Sequence, residues 1–140
     1  MNLELTGKKA LITGGSRGIG KAIARELALE GVDVAIAARG MEALTETARE
    51  LSAETDAKIV PVTLDTSDGQ SIIDGVAATN AELGGIDILV NNVGVSPYLS
   101  LLEMEPEDWH QIMDINLHSI FYTTRAFLKP MMDKGWGRII

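Results

Sequence analysis

Short runs rich in β-branched and other apolar residues alternate along the chain with longer stretches in which apolar residues recur at helical spacing. Such alternation is typical of βαβ units, which build a parallel sheet covered by helices on both faces. We therefore predict an α/β fold. The predicted strands are Lys8 to Thr13, Val32 to Ala38, Ile59 to Leu64 and Ile86 to Asn91, and Gly137 to Ile140 reads as the opening of a fifth.

Four helical stretches are predicted between and after these strands. The first ends near Gly31, the third stops at Gly84-Gly85, and the fourth runs from Pro106 to about Lys134, with a kink expected at Pro130. Their apolar faces are marked by Ile19, Ile23 and Leu27 in the first, Leu44, Ala48 and Leu51 in the second, Ile72, Val76 and Leu83 in the third, and Ile112, Ile115, Phe121 and Leu128 in the fourth.

A glycine-rich turn lies between the first strand and the first helix, with the sequence Thr13-Gly14-Gly15-Ser16-Arg17-Gly18-Ile19-Gly20. Backbone N–H groups and the helix dipole can hold a pyrophosphate at such a turn. Gly14 would permit the tight turn, Gly18 the approach of backbone to phosphate, and Gly20 close packing of helix and strand. An ordinary βα turn is the alternative. In its strand-turn-helix context the motif predicts a Rossmann-type, doubly wound parallel sheet.

The end of the second strand indicates which dinucleotide would bind. Asp33 has the chain spacing of an acid that bonds the ribose hydroxyls of NAD, but it opens its strand, whereas ligands bind at carboxyl ends. Ala38 and Arg39 stand at the carboxyl end, and Arg17 can approach the same 2′-phosphate. A solvated Arg39 is the alternative. The two arginines favour NADP(H) over NAD(H).

Composition narrows the class of protein. The 140 residues include 46% hydrophobic residues and fit one domain, residues 1–140. The formal charge of −8 argues against nucleic acid as a partner, and no apolar run is long enough to span a membrane. The chain has no cysteine, and His110 and His118 are too few and too far apart for a metal centre, so no metal is expected. Cytoplasmic localisation is the default expectation.

Three further motifs complete a family pattern. Asp65 ends the third strand, Asn91-Asn92-Val93-Gly94 ends the fourth, and Asn116 follows Asp114-Ile115 in the last helical region. With the glycine turn, their order and spacing resemble the short-chain dehydrogenase/reductase family, which includes 3-oxoacyl-carrier-protein reductases, and the resemblance runs through essentially all 140 residues. Val93 replaces a commoner alanine.

The resemblance implies a role for each motif. The cofactor-binding residues would be Gly14, Ser16, Arg17, Gly18, Ile19, Gly20, Arg39, Asp65, Thr66, Asn92 and Gly94. Among them, Asp65 would bond the adenine, Thr66 would line the same pocket, and Asn92 would contact the adenosine-side ribose. Asn116 would be the catalytic asparagine that supports a water relay. Strand-end turns and a solvated helical asparagine are the alternative interpretations.

The family's hydride transfer also needs a serine and a tyrosine four residues before a lysine. Tyr98 is followed at that spacing by Leu102 and Tyr122 by Ala126, so neither can serve. In relatives the segment resembling Gly137 to Ile140 leads to these groups, and the expectation is therefore of an N-terminal portion, truncated at the fifth strand and inactive alone.

Two hypotheses follow. The first is the cofactor-binding part of an NADP(H)-dependent oxidoreductase that acts on a small carbonyl or secondary alcohol. The second, if the 140 residues are the whole product, is a non-catalytic nucleotide-binding or interaction module. The resemblance also implies a homo-oligomer, formed through the long helix that spans Glu107 to Met132.

Overall fold

The computed structural model describes residues 3–140, in which five parallel strands alternate with helices. The strands are β1 (Lys9–Thr13), β2 (Asp33–Ala38), β3 (Ile59–Thr63), β4 (Ile88–Val90) and β5 (Arg138–Ile139). The α-helices are α1 (Gly18–Leu29), α2 (Met41–Glu54), α3 (Gly69–Leu83), α4 (Pro106–Met113) and α5 (Ser119–Asp133), and a π-helical segment, Asp114–His118, joins the last two.

The strands form one sheet in the order β3-β2-β1-β4-β5. Each pairing is parallel: Thr13 of β1 stands opposite Ala37 of β2, and Ile12 stands opposite Val90 of β4. The carboxyl ends of the three central strands therefore meet at one edge. The strand order reverses between β1 and β4, and the crevice at such a switch point is where open α/β sheets bind their ligands.

Apolar layers cover both faces of the sheet, because its strands are near-continuous apolar runs. On one face, α1 and α2 pack against buried side chains of β1 and β2 such as Ile12 and Ile36. On the other, α3 and α5 pack against Leu11 and Leu89. Both layers are fully shielded from water at these positions. This arrangement confirms the Rossmann-type, doubly wound sheet.

The apolar face of α1 differs from the one its sequence indicated. Ile19 is 74% exposed, and Ile23 and Leu27 are only partly buried, whereas the fully buried positions are Gly20, Ala24 and Ala28. The prediction was wrong for Ile19, while Ile23 and Leu27 do pack against the core. The most buried positions belong to small residues because α1 lies close to the sheet. Ile19 faces the cleft above the sheet instead.

The last helical region also departs from its prediction. Phe121 and Leu128 are 58% and 42% exposed, while Thr123, Phe127 and Met131 are buried. A π turn carries an extra residue, so Asp114–His118 rotates every later side chain relative to a continuous α-helix. The buried Thr123 hydroxyl has two acceptors within reach for its single proton, Asn91 Oδ1 at 2.7 Å and the carbonyl oxygen of Ser119 in its own helix at 2.9 Å. A purely apolar pattern cannot reveal such a position.

Other sequence predictions agree with the structure. The faces of α2 and α3 are buried at Leu44, Leu51, Ile72 and Leu83, and Gly84 ends α3 in the left-handed conformation. The last helical region ends at Asp133, next to its predicted end at about Lys134. The expected fifth strand pairs with β4. No helix within residues 3–140 has the length and apolar character needed to cross a membrane.

Candidate functional site

A cleft of about 530 Å³ opens at the carboxyl edge of the sheet, above the switch point between β1 and β4. Four predicted motifs converge on it: the glycine turn after β1, the residues after β2, the residues after β3 and those after β4. Its lining consists of Gly14, Ser16, Arg17, Gly18, Ile19, Ala38, Arg39, Gly40, Ala43, Leu64, Asp65, Thr66, Asn92, Val93, Gly94, Val95 and Ile115. Apart from Gly20, every predicted cofactor-binding residue lines this cleft.

Each of three glycines in the turn is favoured at its position for a different structural reason. Gly14 has a φ of +69°, in the left-handed region that a tight turn requires. Gly18 has a φ of +55°, and a Cβ added there would meet no atom within 4 Å, so its backbone stays open to the cleft. A Cβ on Gly20 would collide with the carbonyl of Gly14 and come within 2.6 Å of Asn92 Nδ2. The predicted close packing at Gly20 is confirmed.

Asn92 ties the glycine turn to β4. Its Nδ2 donates to the carbonyl oxygens of Thr13 and Gly14 at 3.0 and 3.4 Å. The buried Thr13 hydroxyl accepts from the N–H groups of Asn92 and Val93 at 3.0 and 3.2 Å. Sequence reasoning missed this clamp, because the partners lie about 80 residues apart in the chain. The one indication in the sequence was that a polar residue, Thr13 or Asn92, stands at the end of each of the two strands.

Two guanidinium groups border the cleft where α1 and α2 begin. Arg17 and Arg39 are exposed, and neither forms a salt bridge within residues 3–140, so both can meet an anion. Ala38, the last residue of β2, brings no charge. Asp33 lies at the opposite end of β2, where it accepts from the N–H of Lys58 at 2.9 Å. An acid at that end cannot reach a ribose in the cleft.

Asp65 and Thr66 follow β3 and form the neighbouring wall. The hydroxyl and N–H of Ser67 both donate to Asp65 Oδ1, at 2.6 and 2.9 Å. These bonds hold the pKa of Asp65 below its ordinary value, and the charge of Arg39 acts in the same direction. The carboxylate is therefore ionised at neutral pH and retains acceptor capacity for a donor such as an exocyclic amine. Thr66 is 8% exposed beside it.

Asn116 lies in the π-helical segment and holds the loop after β4. Its Oδ1 accepts from the N–H of Val95 at 2.8 Å, and its Nδ2 donates to the carbonyl of Val95 at 2.7 Å. Ile115 and Val95, rather than the Asn116 side chain, line the cleft. In this arrangement Asn116 fixes the backbone next to Gly94.

The two tyrosines lie apart from the cleft lining. Tyr98 is fully exposed and Tyr122 is half exposed, with its ring 5.3 Å from that of Phe121. Neither is followed by lysine at the fourth position. Within residues 3–140 the cleft thus brings together groups for holding a nucleotide, without a tyrosine to move a proton.

The fold and the cleft define a Rossmann-type α/β protein with a glycine-rich turn at its switch point. The family model for short chain dehydrogenase matches residues 8–140. The chain belongs to the short-chain dehydrogenase family.

Known relatives agree with this membership. Gluconate 5-dehydrogenase of Gluconobacter oxydans (strain 621H) is 37% identical over 98% of this chain and 53% of its own length. The 3-oxoacyl-[acyl-carrier-protein] reductase of Escherichia coli (strain K12) is 40% identical over 100% of this chain and 55% of its own. The crystal structure of L-sorbose reductase from Gluconobacter frateurii, complexed with NADPH and L-sorbose, superposes with a TM-score of 0.95 at 32% identity over 99% of this chain and 53% of its own. The chain spans about half the length of these relatives.

Proposed function

We propose that this chain is the cofactor-binding part of an NADP(H)-dependent oxidoreductase that transfers hydride between the nicotinamide and a small carbonyl or secondary alcohol. The observation that carries the proposal is the cleft itself, where a glycine turn at the switch point meets two arginines outside any salt bridge within residues 3–140. The sorbose reductase, whose structure is similar to this chain, was crystallised with NADPH, which supports the choice of cofactor.

Each wall of the cleft has a place in holding the nucleotide. The N–H groups of the glycine turn, with the dipole of α1 behind them, would bind the pyrophosphate. Arg17 and Arg39 would bind the 2′-phosphate, and Asp65 and Thr66 would receive the adenine. Asn92 holds the glycine turn in place by its amide bonds. Gly94, which lines the cleft, would leave room beside the ribose.

The nicotinamide would give hydride to a carbonyl or accept it from a secondary alcohol, while the protein positions the two reactants. Asn116 fixes the backbone at Val95, beside Gly94, and would keep the loop after β4 at the reacting end of the cleft. The names of the relatives cover gluconate, L-sorbose and 3-oxoacyl groups, which share a carbonyl or secondary alcohol as the reacting group. The substrate class rests on that shared chemistry.

A non-catalytic nucleotide-binding module is the second candidate. One observation favours it: the 140 residues contain no tyrosine four positions before a lysine. The two functions share the cleft and differ in turnover, so cofactor titration supports both and an activity assay separates them.

Self-association through α4 and α5, whose exposed side chains include Trp109, Phe121 and Met132, belongs to the proposal by family resemblance.

Replacing Arg39 tests the choice of cofactor. In Arg39→Ala we expect NADPH to bind about ten- to a hundredfold more weakly while NADH binding is unchanged, because a charge-assisted bond to the 2′-phosphate is lost. Isothermal titration calorimetry measures both constants. Arg49→Ala is the matched control, since Arg49 pairs with Glu46 on the exposed face of α2 and should leave both constants as they were. An unchanged preference in Arg39→Ala would contradict the assignment.

Ala38→Asp tests the position of the ribose. A carboxylate at the end of β2 would repel the 2′-phosphate and accept from free ribose hydroxyls, so we expect the preference to move from NADPH toward NADH by about tenfold or more. Ala38→Asn provides the uncharged control and should keep the preference for NADPH. If the aspartate variant discriminates as the parent does, Ala38 does not face the ribose.

A further inference from the structure

A buried threonine on α2 contacts the glycine turn from behind the cleft. The Thr47 hydroxyl donates to the carbonyl oxygen of Ser16 at 2.8 Å, and Thr47 is 3% exposed. The two residues are 31 positions apart. Thr47 does not line the cleft, so it cannot itself contact a nucleotide.

This bond acts on the peptide unit that leads into Arg17. The Ser16 carbonyl and the Cα of Arg17 belong to one planar peptide group, so fixing the oxygen fixes the position from which the Arg17 side chain departs. Arg17 itself has an extended backbone and an exposed side chain. A displacement of the Ser16 peptide would therefore move the Arg17 guanidinium.

Residues 37–47, which bond to the glycine turn at Gly15 and Ser16, include Arg39. The N–H of Gly15 donates to the carbonyl of Ala37 at 3.1 Å, two residues before Arg39, and Thr47 lies in the helix that begins two residues after it. The glycine turn is thus fastened on both sides of Arg39. The ion pairs Lys21–Glu50 and Arg25–Glu54 also join α1 to α2, but they are partly exposed and contribute little.

From this geometry we infer that Thr47 is a positioning residue for cofactor selectivity: its hydroxyl sets Arg17 at the distance from Arg39 that a 2′-phosphate requires. The inference rests on the proposed function, because it assumes NADP(H) in the cleft. Loss of the hydroxyl should weaken NADPH more than NADH, since the glycine backbone serves both nucleotides and Arg17 serves the 2′-phosphate alone.

The test is a titration of the 140-residue chain with NADPH and with NADH. In Thr47→Val, which keeps the shape and removes the hydroxyl, we expect the ratio of the two affinities to fall about three- to tenfold. Thr47→Ser should restore the parent ratio. Thr79→Val is the matched control: Thr79 is equally buried, but its hydroxyl bonds to Gly75 within α3, away from the cleft.

A double-mutant cycle with Arg17→Ala shows whether Thr47 acts through Arg17. Once Arg17 is absent, Thr47→Val should leave the affinity ratio unchanged. An equal weakening of both nucleotides, or a fall in the ratio that persists without Arg17, would overturn the inference. If Thr47→Val does not fold, Thr47→Ala is titrated in its place with the same two outcomes. Failure of the parent chain to prefer NADPH would instead contradict the proposed function.

Discussion

Gly20→Ala is expected to weaken NADPH binding by about a hundredfold or more and to lower the free energy of unfolding by about 3 kcal/mol, at the upper end of the cost of overpacking a tightly packed site. The added Cβ would collide with the Gly14 carbonyl and stand 2.6 Å from Asn92 Nδ2. Neither can move easily, because the Asn92 amide is itself bonded to the backbone of the turn at Thr13 and Gly14. The collision therefore displaces the turn that holds the phosphates.

The size of the effect on NADPH affinity depends on how many hydrogen bonds between the glycine turn and the phosphates are lost. If the displaced turn loses two charge-assisted bonds to phosphate, affinity falls by about a hundredfold or more. Thermal denaturation and calorimetric titration measure the two effects separately. Gly69→Ala is the control, since a Cβ there meets no atom within 4 Å and Gly69, the first residue of α3, does not line the cleft. A Gly20→Ala protein with parental stability and affinity would refute the packing argument.

The sequence predicted the order of strands and helices and the place where ligands meet the sheet. These features depend on properties of residues that are close together in the sequence. The apolar runs of β1 and β2 are covered on both faces, and Gly14 requires a conformation that other residues rarely adopt. The carboxyl ends of parallel strands necessarily share an edge, so Arg39, Asp65 and Asn92 converge as predicted.

The sequence could not predict features that depend on contacts between distant segments. The apolar face of α1 was assigned to its largest side chains, yet its packing is decided by how closely the helix approaches the sheet, which selects Gly20, Ala24 and Ala28. The π turn likewise has no apolar signature, and the helix that follows it buries Ser119, Thr123, Phe127 and Met131 rather than Phe121. The sequence pattern did not indicate a role for Thr47, because its hydrogen-bond partner is the backbone carbonyl of Ser16 in the glycine turn, 31 residues away.

The 140-residue chain, supplied with NADPH and a panel of ketones and aldehydes, is expected to show no turnover above background. Hydride arriving at a carbonyl carbon leaves charge on the oxygen, and a positioned acid that protonates this oxygen is typically worth about 10²- to 10⁴-fold in rate. In the family that acid is a tyrosine paired with a lysine four residues later. Tyr98 and Tyr122 lack the lysine and lie away from the cleft lining.

Binding and turnover should therefore separate cleanly in this chain. Calorimetry should show NADPH binding, while a spectrophotometric assay of NADPH oxidation should show none that depends on the carbonyl. A chimera that joins the chain to the unmatched part of a reductase relative supplies the control, because it restores a tyrosine-lysine pair beside the same cleft and should gain activity. Carbonyl-dependent oxidation by the 140-residue chain, abolished by Asn116→Ala, would instead mean that a group within these residues donates the proton, and that Asn116 takes part in the transfer beyond holding the backbone at Val95.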